Sequence, residues 1–397
     1  MNNVLCNYCN DLGLLPFLRF PDVPVSGHFR PSSAKDSGRV SLSLELCSKC
    51  GLVRQRDGIG FREYVEVTRS TALQFPAYVY SLIEKLFAVG VGRGDLVIEV
   101  GSNDGLFMSA LRSAGFTNVI GVEPSQELSA VASSMGHRVV CDYFGPELVP
   151  KILEKYGSAR AIVCRHTLEH VPNPEVFARS LSQCLVGDQA LLLVEVPDAA
   201  AISELLNVYE FWDEHLFYFS ESNLIRLLEA AGFEVVETAL QPHLETRNLL
   251  AWCKKARHPH VIKPLGQQDA ACVALWQSLP ARWEAFKLGF ADALSKAPGP
   301  IYAIGASHSQ TNLVNYAEVG KFVDFFIDDD AAKVGLFPPV LEASNPILSS
   351  MQFEVTAKGG TLVKTGFGYE KWTQKLCSLA LARGMTILDP KNYIQKI

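Results

Sequence analysis

Residues 96–105 of the chain read LVIEVGSNDG, which is a short apolar run containing one acid, followed by a glycine-rich turn. The helix-like segment LFMSALRSAG (106–115) comes next, and NVIGVEPS (118–125) adds a second apolar run that ends in Glu123. A strand, a glycine turn, a helix and a second strand form the opening βαβ unit of a doubly wound sheet, where ligands lie across the carboxyl ends of the strands. The stretch therefore predicts an α/β fold with a ligand site at this glycine turn.

The glycine turn also separates two classes of cofactor. GSNDG lacks the G-x-G-x-x-G spacing of a tight pyrophosphate turn. Glu99, two residues before Gly101, would repel a diphosphate and suits a cationic ligand, whereas Glu123 suits two ribose hydroxyls. An E-x-G-x-x-x-G pattern followed by a strand ending in Glu resembles the class I S-adenosylmethionine-dependent methyltransferases. A doubly wound domain without a cofactor would leave these two acids unexplained.

Three later segments follow in the order that this fold requires. VVCDYFG (139–145) offers an acid and aromatic rings to an adenine, ARAIVCRHTLEHVPNP (159–174) supplies the fourth strand and its loop, and ALLLVEVPD (190–198) supplies the fifth strand. The resemblance implies S-adenosyl-L-methionine as cofactor. The residues expected to bind it are Glu99, Gly101, Ser102, Asn103, Gly105, Glu123, Pro124, Asp142, Tyr143, Phe144, Arg165 and His166.

The loop after the fourth strand contains a misleading motif. His166-Thr-Leu-Glu169-His170 matches H-x-x-E-H, a metalloprotease pattern on a helix. Pro172 and Pro174 would end such a helix after about one turn. His166 is expected to line the cofactor cavity or to be a polar loop residue.

Four cysteines near the amino terminus form two C-x-x-C turns separated by 37 residues that contain the strand-like run VSLSLEL. Two such turns complete a tetrahedron of thiolates around zinc, and four sulfur ligands leave no open position for a substrate. Free thiols or a redox pair are the alternatives. We expect a structural Zn²⁺ held by Cys6, Cys9, Cys47 and Cys50.

Composition and charge limit the other possibilities. The 397 residues carry a formal charge of −6, which argues against nucleic acid or an anionic membrane as the main partner. No apolar run approaches the roughly 18–20 residues of a membrane span, and MNNVLCNYCN lacks a basic segment followed by an apolar one. The expected location is the cytoplasm, and the expected partner is a small molecule.

The order of motifs along the whole chain resembles the sugar C-methyltransferase family. The two C-x-x-C turns, VIEVGSNDG, E-H-L-x-Y-F-S and a second small α/β unit follow one another as in that family. Its members methylate a carbon of a nucleotide-linked deoxysugar, typically C3 of a 4-keto sugar. The resemblance therefore implies a nucleotide sugar as acceptor.

The decapeptide FWDEHLFYFS (211–220) is the expected centre of catalysis. Carbon becomes nucleophilic when it is deprotonated beside a carbonyl, which requires a base with a pKa near neutrality and a donor for the enolate oxygen. Histidine is the natural base. In the family a Y-x-E-H segment supplies these groups, and its E-H falls on Glu214 and His215. We expect His215 to be the base, with Glu214 contacting the acceptor or orienting the imidazole; a purely structural segment is the alternative.

The acceptor side departs from the family pattern at three places. Trp212 stands where the family has a tyrosine, and an indole can donate its N–H but has no phenolic acid or base function. The family's Y-x-Y-x-S-S segment retains one tyrosine, Tyr64, and its H-G-G-S-L-R segment retains His243 but loses the glycine pair. The resemblance places Trp212, Tyr64 and His243 on the acceptor side. The departures from the family pattern thus fall on the acceptor side, whereas the cofactor side retains that pattern.

In the carboxyl-terminal part, IYAIGAS reads as a strand followed by a glycine turn, and VDFFIDDD reads as a strand that ends in acids. Together these segments predict a truncated Rossmann-like unit. The turn Ser307-His308-Ser309 either closes over the acceptor and binds a phosphate or hydroxyl, or belongs to a packing domain. An amphipathic helix is expected over 267–294. The expected organisation is a zinc-binding domain over 1–75, a methyltransferase core over 76–256, a helical connector over 257–298 and a Rossmann-like domain over 299–397.

Two other functions fit the same fold. An O- or N-methyltransferase acting on another small molecule, such as a secondary metabolite, would use its base on a hydroxyl or amine. A non-catalytic binder would keep the cofactor pocket with a degenerate acceptor site. The oligomeric state cannot be predicted from the sequence.

Overall fold

The computed structural model describes residues 6, 9, 13–31, 38–56, 77–243, 246–256, 266–365 and 370–394. Strands are numbered along the chain: β1 (Leu14–Pro24), β2 (Arg39–Cys47), β3 (Val53–Gln55), β4 (Val97–Val100), β5 (Val119–Val122), β6 (Arg138–Val140), β7 (Ala161–Arg165), β8 (Leu191–Pro197), β9 (Phe217–Tyr218), β10 (Phe233–His243), β11 (Thr246–Lys255), β12 (Ile301–Ile304), β13 (Phe325–Ile327), β14 (Thr361–Val363) and β15 (Thr386–Leu388). The α-helices are α1 (Ala77–Ala88), α2 (Leu106–Ser113), α3 (Gln126–Ser134), α4 (Val149–Tyr156), α5 (Pro174–Cys184), α6 (Ala199–Glu204), α7 (Glu221–Ala230), α8 (Gln267–Lys296), α9 (His308–Tyr316), α10 (Ser350–Thr356), α11 (Glu370–Ala382) and α12 (Lys391–Ile394).

The central sheet has seven strands in the order β10-β11-β8-β7-β4-β5-β6. Strands β4 to β8 run parallel, and β11 is antiparallel to both β8 and β10. Since β4 lies between β5 and β7, the winding direction reverses there, and a crevice opens at the carboxyl ends of these strands. The doubly wound α/β sheet that the sequence predicts is thus confirmed.

Helices cover both faces of this sheet. Every residue of β4 is buried, as a parallel strand between two helical layers requires. Alternate residues of the strand face opposite sides: Ile98 packs with α4, α5 and α7, whereas Val97 packs with α1 and α2. This alternation holds the carboxyl end of β4, and the turn that follows it, in a rigid frame.

A second sheet, in the order β1-β2-β3-β9, lies at the amino-terminal end of the fold. The predicted run VSLSLEL forms most of β2. The last strand of this second sheet, β9, comes from the decapeptide 211–220 and pairs antiparallel with β3. The decapeptide therefore belongs to the central domain in sequence and to the amino-terminal sheet in space.

The third sheet is parallel throughout, in the order β13-β12-β14-β15, as a Rossmann-like unit requires. The helix expected over 267–294 is present as α8. Its buried rings, Trp276, Trp283 and Phe286 among them, share one apolar core with residues of the amino-terminal and third sheets. Among the described residues, no helix has the length and apolar character that crossing a membrane requires.

Candidate active site

A cavity of about 480 Å³ opens at the carboxyl ends of β4, β5 and β7. Ten of the twelve residues expected at the cofactor line it: Glu99, Gly101, Ser102, Asn103, Glu123, Pro124, Tyr143, Phe144, Arg165 and His166. Gly105 and Asp142 are not among the lining residues. Gly105 precedes α2 with φ 82°, and a side chain there would meet His137 and Ala132. Asp142 instead accepts a hydrogen bond from its neighbour's backbone N–H and lies 3.7 Å from Lys151.

Gly101 allows the turn after β4 to approach the loop after β7. Its φ is 76°, and a Cβ atom at this position would lie 2.1 Å from the Thr167 hydroxyl oxygen. That hydroxyl donates to the carbonyls of Val100 and Arg165, so it is not free to turn away. Only glycine fits this floor of the cavity.

Replacing Gly101 with alanine is expected to lower the free energy of unfolding by at least about 1–2 kcal/mol, the cost of a left-handed backbone for a residue with a Cβ, with the clash at Thr167 added. Urea unfolding of the variant measures it. Gly94→Ala is the matched control, because nothing lies within 4 Å of the added Cβ and φ is not positive. Equal losses in both variants would contradict this explanation.

Glu123 shapes the neighbouring wall. Its two carboxylate oxygens accept hydrogen bonds of 2.9 Å from the backbone N–H groups of Asn103 and Ser125. Burial raises the pKa of Glu123, while these two donors oppose the shift. The acid at the end of β5 therefore joins the glycine turn to the start of α3.

Glu99 differs from Glu123 in having an oxygen without a partner. Its side chain is 4% exposed, and its Oε2 has no hydrogen-bond partner among the described residues. Burial raises the pKa of Glu99 to about 8; Arg165 opposes the shift, and the carboxylates of Asp104 and Glu123 add to it. An uncompensated carboxyl group facing a cavity is an acceptor for a cationic ligand.

A network that the sequence reasoning missed lies behind the cavity, around Glu195 in β8. This side chain has no exposed surface, yet it accepts hydrogen bonds from Tyr78 (2.7 Å), Asn248 (2.6 Å) and Arg165 (2.5 Å). Burial raises the pKa of Glu195, but His166 and Arg165 outweigh it and hold the pKa well below its ordinary value. An acid inside the apolar run LLLVEVP was the available signal, since a buried charge needs partners.

His166 adopts a left-handed backbone conformation, with φ 47°, and its ring lies 3.7 Å from Glu169 and 3.6 Å from Glu195. Burial lowers its pKa, but the two carboxylates outweigh burial and raise the pKa to about 9. The cavity therefore has a cationic imidazole at the end where the loop after β7 begins. The expectation that His166 lines the cavity agrees with this placement.

The H-x-x-E-H segment forms a single 3₁₀ turn, Leu168–His170, followed by extended backbone at Val171, as the two prolines predict. Glu169 and His170 nevertheless approach the decapeptide. A carboxylate oxygen of Glu169 and ring nitrogens of His170 and His215 all lie within 4.8 Å of one another. The side chain of Glu169 is 2% exposed, and its Oε2 has no hydrogen-bond partner among the described residues.

His215 lies at the centre of an aromatic cluster beside the His170 end of the cavity. Its ring centroid is 4.7 Å from that of His170, 4.9 Å from that of Trp212 and 6.0 Å from that of Tyr218. Burial lowers the pKa of His215 well below its ordinary value, and the imidazoles of His170, His308 and His166 add to the shift. The ring is therefore neutral at pH 7 and has a nitrogen lone pair to accept a proton, but its pKa lies below the near-neutral value expected of the base.

His170, which the sequence reasoning did not select, has a defined tautomer. Its Nδ1 lies 3.0 Å from the carbonyl oxygen of Glu214, and a carbonyl only accepts, so Nδ1 carries the proton. Nε2 is then the lone-pair nitrogen of the neutral ring. Burial lowers the pKa of His170, which favours this neutral form.

The third sheet contributes one wall of the cluster. The His308 ring, at the start of α9, stacks on Trp212 with centroids 4.7 Å apart. The backbone N–H groups of Gly305, Ala306 and Ser307 donate to Ile327, Asp328 and Gln310. The backbone N–H of Ser307 and those of the two residues before the turn are thus engaged by the protein's own groups, which is consistent with the packing interpretation of the Ser307-His308-Ser309 turn.

Two candidate acceptor residues are not placed beside His215. Tyr64 lies outside the described residues. His243 ends β10, and its side chain is also outside what is described. Their roles stay predictions from the family resemblance.

The four amino-terminal cysteines come together. The sulfur atoms of Cys6 and Cys50 are 3.8 Å apart, and those of Cys9 and Cys47 are 3.5 Å apart. Zinc–sulfur bonds of about 2.3 Å in a tetrahedron give sulfur–sulfur distances of about 3.8 Å. All four sulfur atoms lie within 4.8 Å of one another, so the cluster fits a zinc ion.

Comparison with known proteins agrees with this fold. A family model described as a methyltransferase domain matches residues 73–238. The C-methyltransferase NovU of Streptomyces niveus is 28% identical to this chain over 271 residues, which are 65% of this chain and 62% of NovU. The chain thus matches less than two thirds of that relative's length.

Solved structures similar to the chain include two further methyltransferases. Magnesium protoporphyrin IX methyltransferase from Synechocystis, with bound S-adenosylmethionine, is 15% identical, with 45% of this chain and 78% of that one covered at a TM-score of 0.35. An S-adenosylmethionine-dependent methyltransferase from Clostridium acetobutylicum is 14% identical, with 46% and 93% covered at a TM-score of 0.38. The match over residues 73–238 and the doubly wound sheet indicate a methyltransferase domain of the class I fold in this part of the chain.

Proposed function

We propose that the protein is an S-adenosylmethionine-dependent C-methyltransferase whose acceptor is a nucleotide-activated keto-deoxysugar and whose general base is His215. The observation that carries the proposal is the neutral, buried imidazole of His215 next to His170, a residue that also lines the cavity. Methylation of a carbon beside a carbonyl requires a base that forms the enolate, and a neutral imidazole can take that proton. The similarity to NovU, a C-methyltransferase, supports the same type of reaction.

The cavity has the groups that a sulfonium cofactor requires. The unpartnered oxygen of Glu99 would accept the cofactor's ammonium group, Gly101 would let its chain pass over the turn, and the wall at Glu123 would face its ribose. Tyr143 and Phe144 would contact its adenine. When bound, the cofactor supplies an activated methyl group, so the remaining task of the protein is to position and activate the acceptor.

Residues of this chain would perform that activation. His215 takes the proton from the carbon beside the acceptor's carbonyl. Trp212 would donate to an acceptor oxygen through its buried Nε1, which has no hydrogen-bond partner among the described residues. His170 holds its proton on Nδ1 against the Glu214 carbonyl and presents Nε2 as a hydrogen-bond acceptor. The aromatic wall of Trp212 and His308 would exclude water from the enolate.

Cofactor binding at pH 7 is expected to release a proton from Glu99. With a pKa of about 8, this carboxyl group is neutral at pH 7, and a bound ammonium group favours its ionised form. Affinity should therefore rise with pH and level off above about pH 8. Calorimetry with S-adenosylhomocysteine in two buffers of different ionisation enthalpy counts the protons released.

Glu99→Gln should make the binding enthalpy of S-adenosylhomocysteine independent of the buffer and should weaken its binding. Asp142→Asn is the matched control, because Asp142 does not line the cavity, and it should keep the proton release. A wild-type enthalpy that is the same in both buffers would contradict the assignment of Glu99.

The four cysteines would hold a structural zinc ion, and the proposed location is the cytoplasm, where thiols outside a metal site stay reduced. The activity is tested by incubating the purified protein with cofactor and a nucleotide-linked 4-keto-6-deoxysugar. A product heavier by one methylene unit, with its new methyl group on carbon by NMR, would support the proposal. A new methyl group on oxygen or nitrogen would contradict the proposal and identify the protein as an O- or N-methyltransferase.

A further inference from the structure

The second cysteine turn lies directly against the decapeptide that carries His215. After Cys50 the chain runs through two residues into β3, which pairs antiparallel with β9. Val53 is paired with Tyr218 and Arg54 with Phe217, which lie three and two residues beyond His215. A displacement of the metal turn is therefore transmitted to the catalytic segment through one short ladder.

Gln55, at the end of β3, holds the turn around His215 on both sides. Its backbone N–H donates to the carbonyl of Leu216 at 2.9 Å, and its Nε2 donates to the carbonyl of Asp213 at 3.2 Å. The side chain is 7% exposed, so water does not replace these bonds easily. Gln55 thus spans the residues immediately before and after the Glu-His pair.

Asn223 forms a second link, which starts from the metal turn itself. Its Nδ2 donates to the carbonyl of Cys50 at 2.8 Å, and the residue has no exposed surface. Its Oδ1 accepts from Ser220, the last residue of the decapeptide. One carboxamide therefore connects a cysteine of the cluster to the carboxyl end of the catalytic segment.

The decapeptide also has anchors that do not involve the metal turn. Tyr316 of α9 donates to the carbonyl of Phe211 at 2.7 Å, and the N–H of Leu216 donates to the carbonyl of Glu169 at 2.8 Å. These bonds anchor its start and its middle to the third sheet and to the loop after β7. They do not replace the restraint that β3 applies to residues 213–218.

We infer that the four-cysteine site positions the catalytic segment, with Gln55 and Asn223 as positioning residues that couple metal occupancy to the placement of His215. The inference rests on the proposed role of His215, and its structural part can be measured without turnover. Removing the metal is expected to release residues 211–220 while the cofactor cavity, built on the central sheet, stays intact.

Hydrogen–deuterium exchange on the full chain tests the structural part, by comparing zinc-loaded protein with protein stripped by a chelator and with protein reloaded with Zn²⁺. Faster exchange confined to peptides of the cysteine turns, β3 and 211–220, reversed by zinc and with peptides from 97–107 unchanged, would support the inference. Unchanged exchange at 211–220 would overturn it. A uniform rise throughout the chain would also overturn it, since the metal would then stabilise the whole fold instead of positioning this segment.

Gln55→Met tests the coupling without removing the metal, because it keeps the side chain's length and deletes the donor. We expect stoichiometric zinc, an unchanged Kd for S-adenosylhomocysteine and a kcat about 10- to 100-fold lower, the usual consequence of a displaced catalytic group. Asn345→Ala is the control, because it deletes an amide-to-carbonyl bond in an exposed loop far along the chain. A wild-type kcat for Gln55→Met would overturn the inference, whereas inactivity of the wild-type protein on every acceptor would count against the proposed function and leave the exchange result to decide.

Discussion

Replacing His215 with asparagine is expected to lower kcat about 10²- to 10⁴-fold, the usual contribution of a positioned general base. Asparagine keeps a polar side chain but cannot take a proton from carbon. Cofactor affinity should not change, because His215 does not line the cavity of Glu99 and Gly101. Single-turnover kinetics and calorimetry with S-adenosylhomocysteine measure the two quantities.

Deuterium wash-in separates the base from a residue that only positions the acceptor. With its keto-sugar acceptor in heavy water, the wild-type protein should exchange the hydrogen beside the carbonyl, and His215→Asn should not. Burial and neighbouring imidazoles keep the pKa of His215 well below 6.5. The imidazole should therefore stay neutral, and the methyl-transfer step should persist, when the pH is lowered just below 6.5. His137→Asn, at a histidine hydrogen-bonded to Ser109 in α2, is the control. Full activity of His215→Asn would refute the assignment.

Replacing Glu195 with alanine is expected to lower the free energy of unfolding by about 3–5 kcal/mol, the cost of leaving a buried charge without its partner. Arg165 would lose the carboxylate that it binds, and the donors of Tyr78 and Asn248 would also lose their acceptor. Urea unfolding followed by circular dichroism measures the change. The variant should also bind cofactor weakly, because Arg165 and His166 line the cavity.

Glu204→Ala is the matched control for this buried network. Glu204 pairs with Arg247, but its side chain is 43% exposed, and exposed ion pairs contribute at most about 1 kcal/mol. Hydrogen-bond and ion-pair partners hold the pKa of Glu195 below its ordinary value of 4.5. The contribution of Glu195 to the free energy of unfolding should therefore be complete above pH 4.5 and be lost as the pH falls below that value. Equal effects of the two substitutions would mean that the network does not stabilise the fold.

Local patterns were sufficient to predict the turn that forms the floor of the cavity. Glu99 and Gly101 lie in and directly after β4, and Glu123 directly follows the neighbouring strand β5, so the short opening βαβ unit places them at the same edge of the sheet. The single turn at Leu168–His170 was predictable for the same reason, since proline acts on its immediate neighbours.

The buried network behind the cavity and the aromatic cluster around His215 both depend on contacts between residues distant in sequence. Glu195, Tyr78 and Asn248 meet only because β8, α1 and β11 are adjacent in the fold. Likewise, the stacking of His308 on Trp212 brings together the first residue of α9 and a residue of the loop before β9. No spacing rule in the sequence encodes such pairs, because strand order and helix packing decide them.

By itself, the sequence of this protein determined the doubly wound class of the core, the turn at its centre and the grouping of cysteines that fits zinc. Each of these depends on residue type and short spacing, which act over a few residues of chain. Only the tertiary structure decided that the decapeptide completes the amino-terminal sheet and that His170 stands beside His215. These placements arise from hydrogen bonds and packing between segments more than forty residues apart, such as the bond from His170 to Glu214, with a sequence separation of 44.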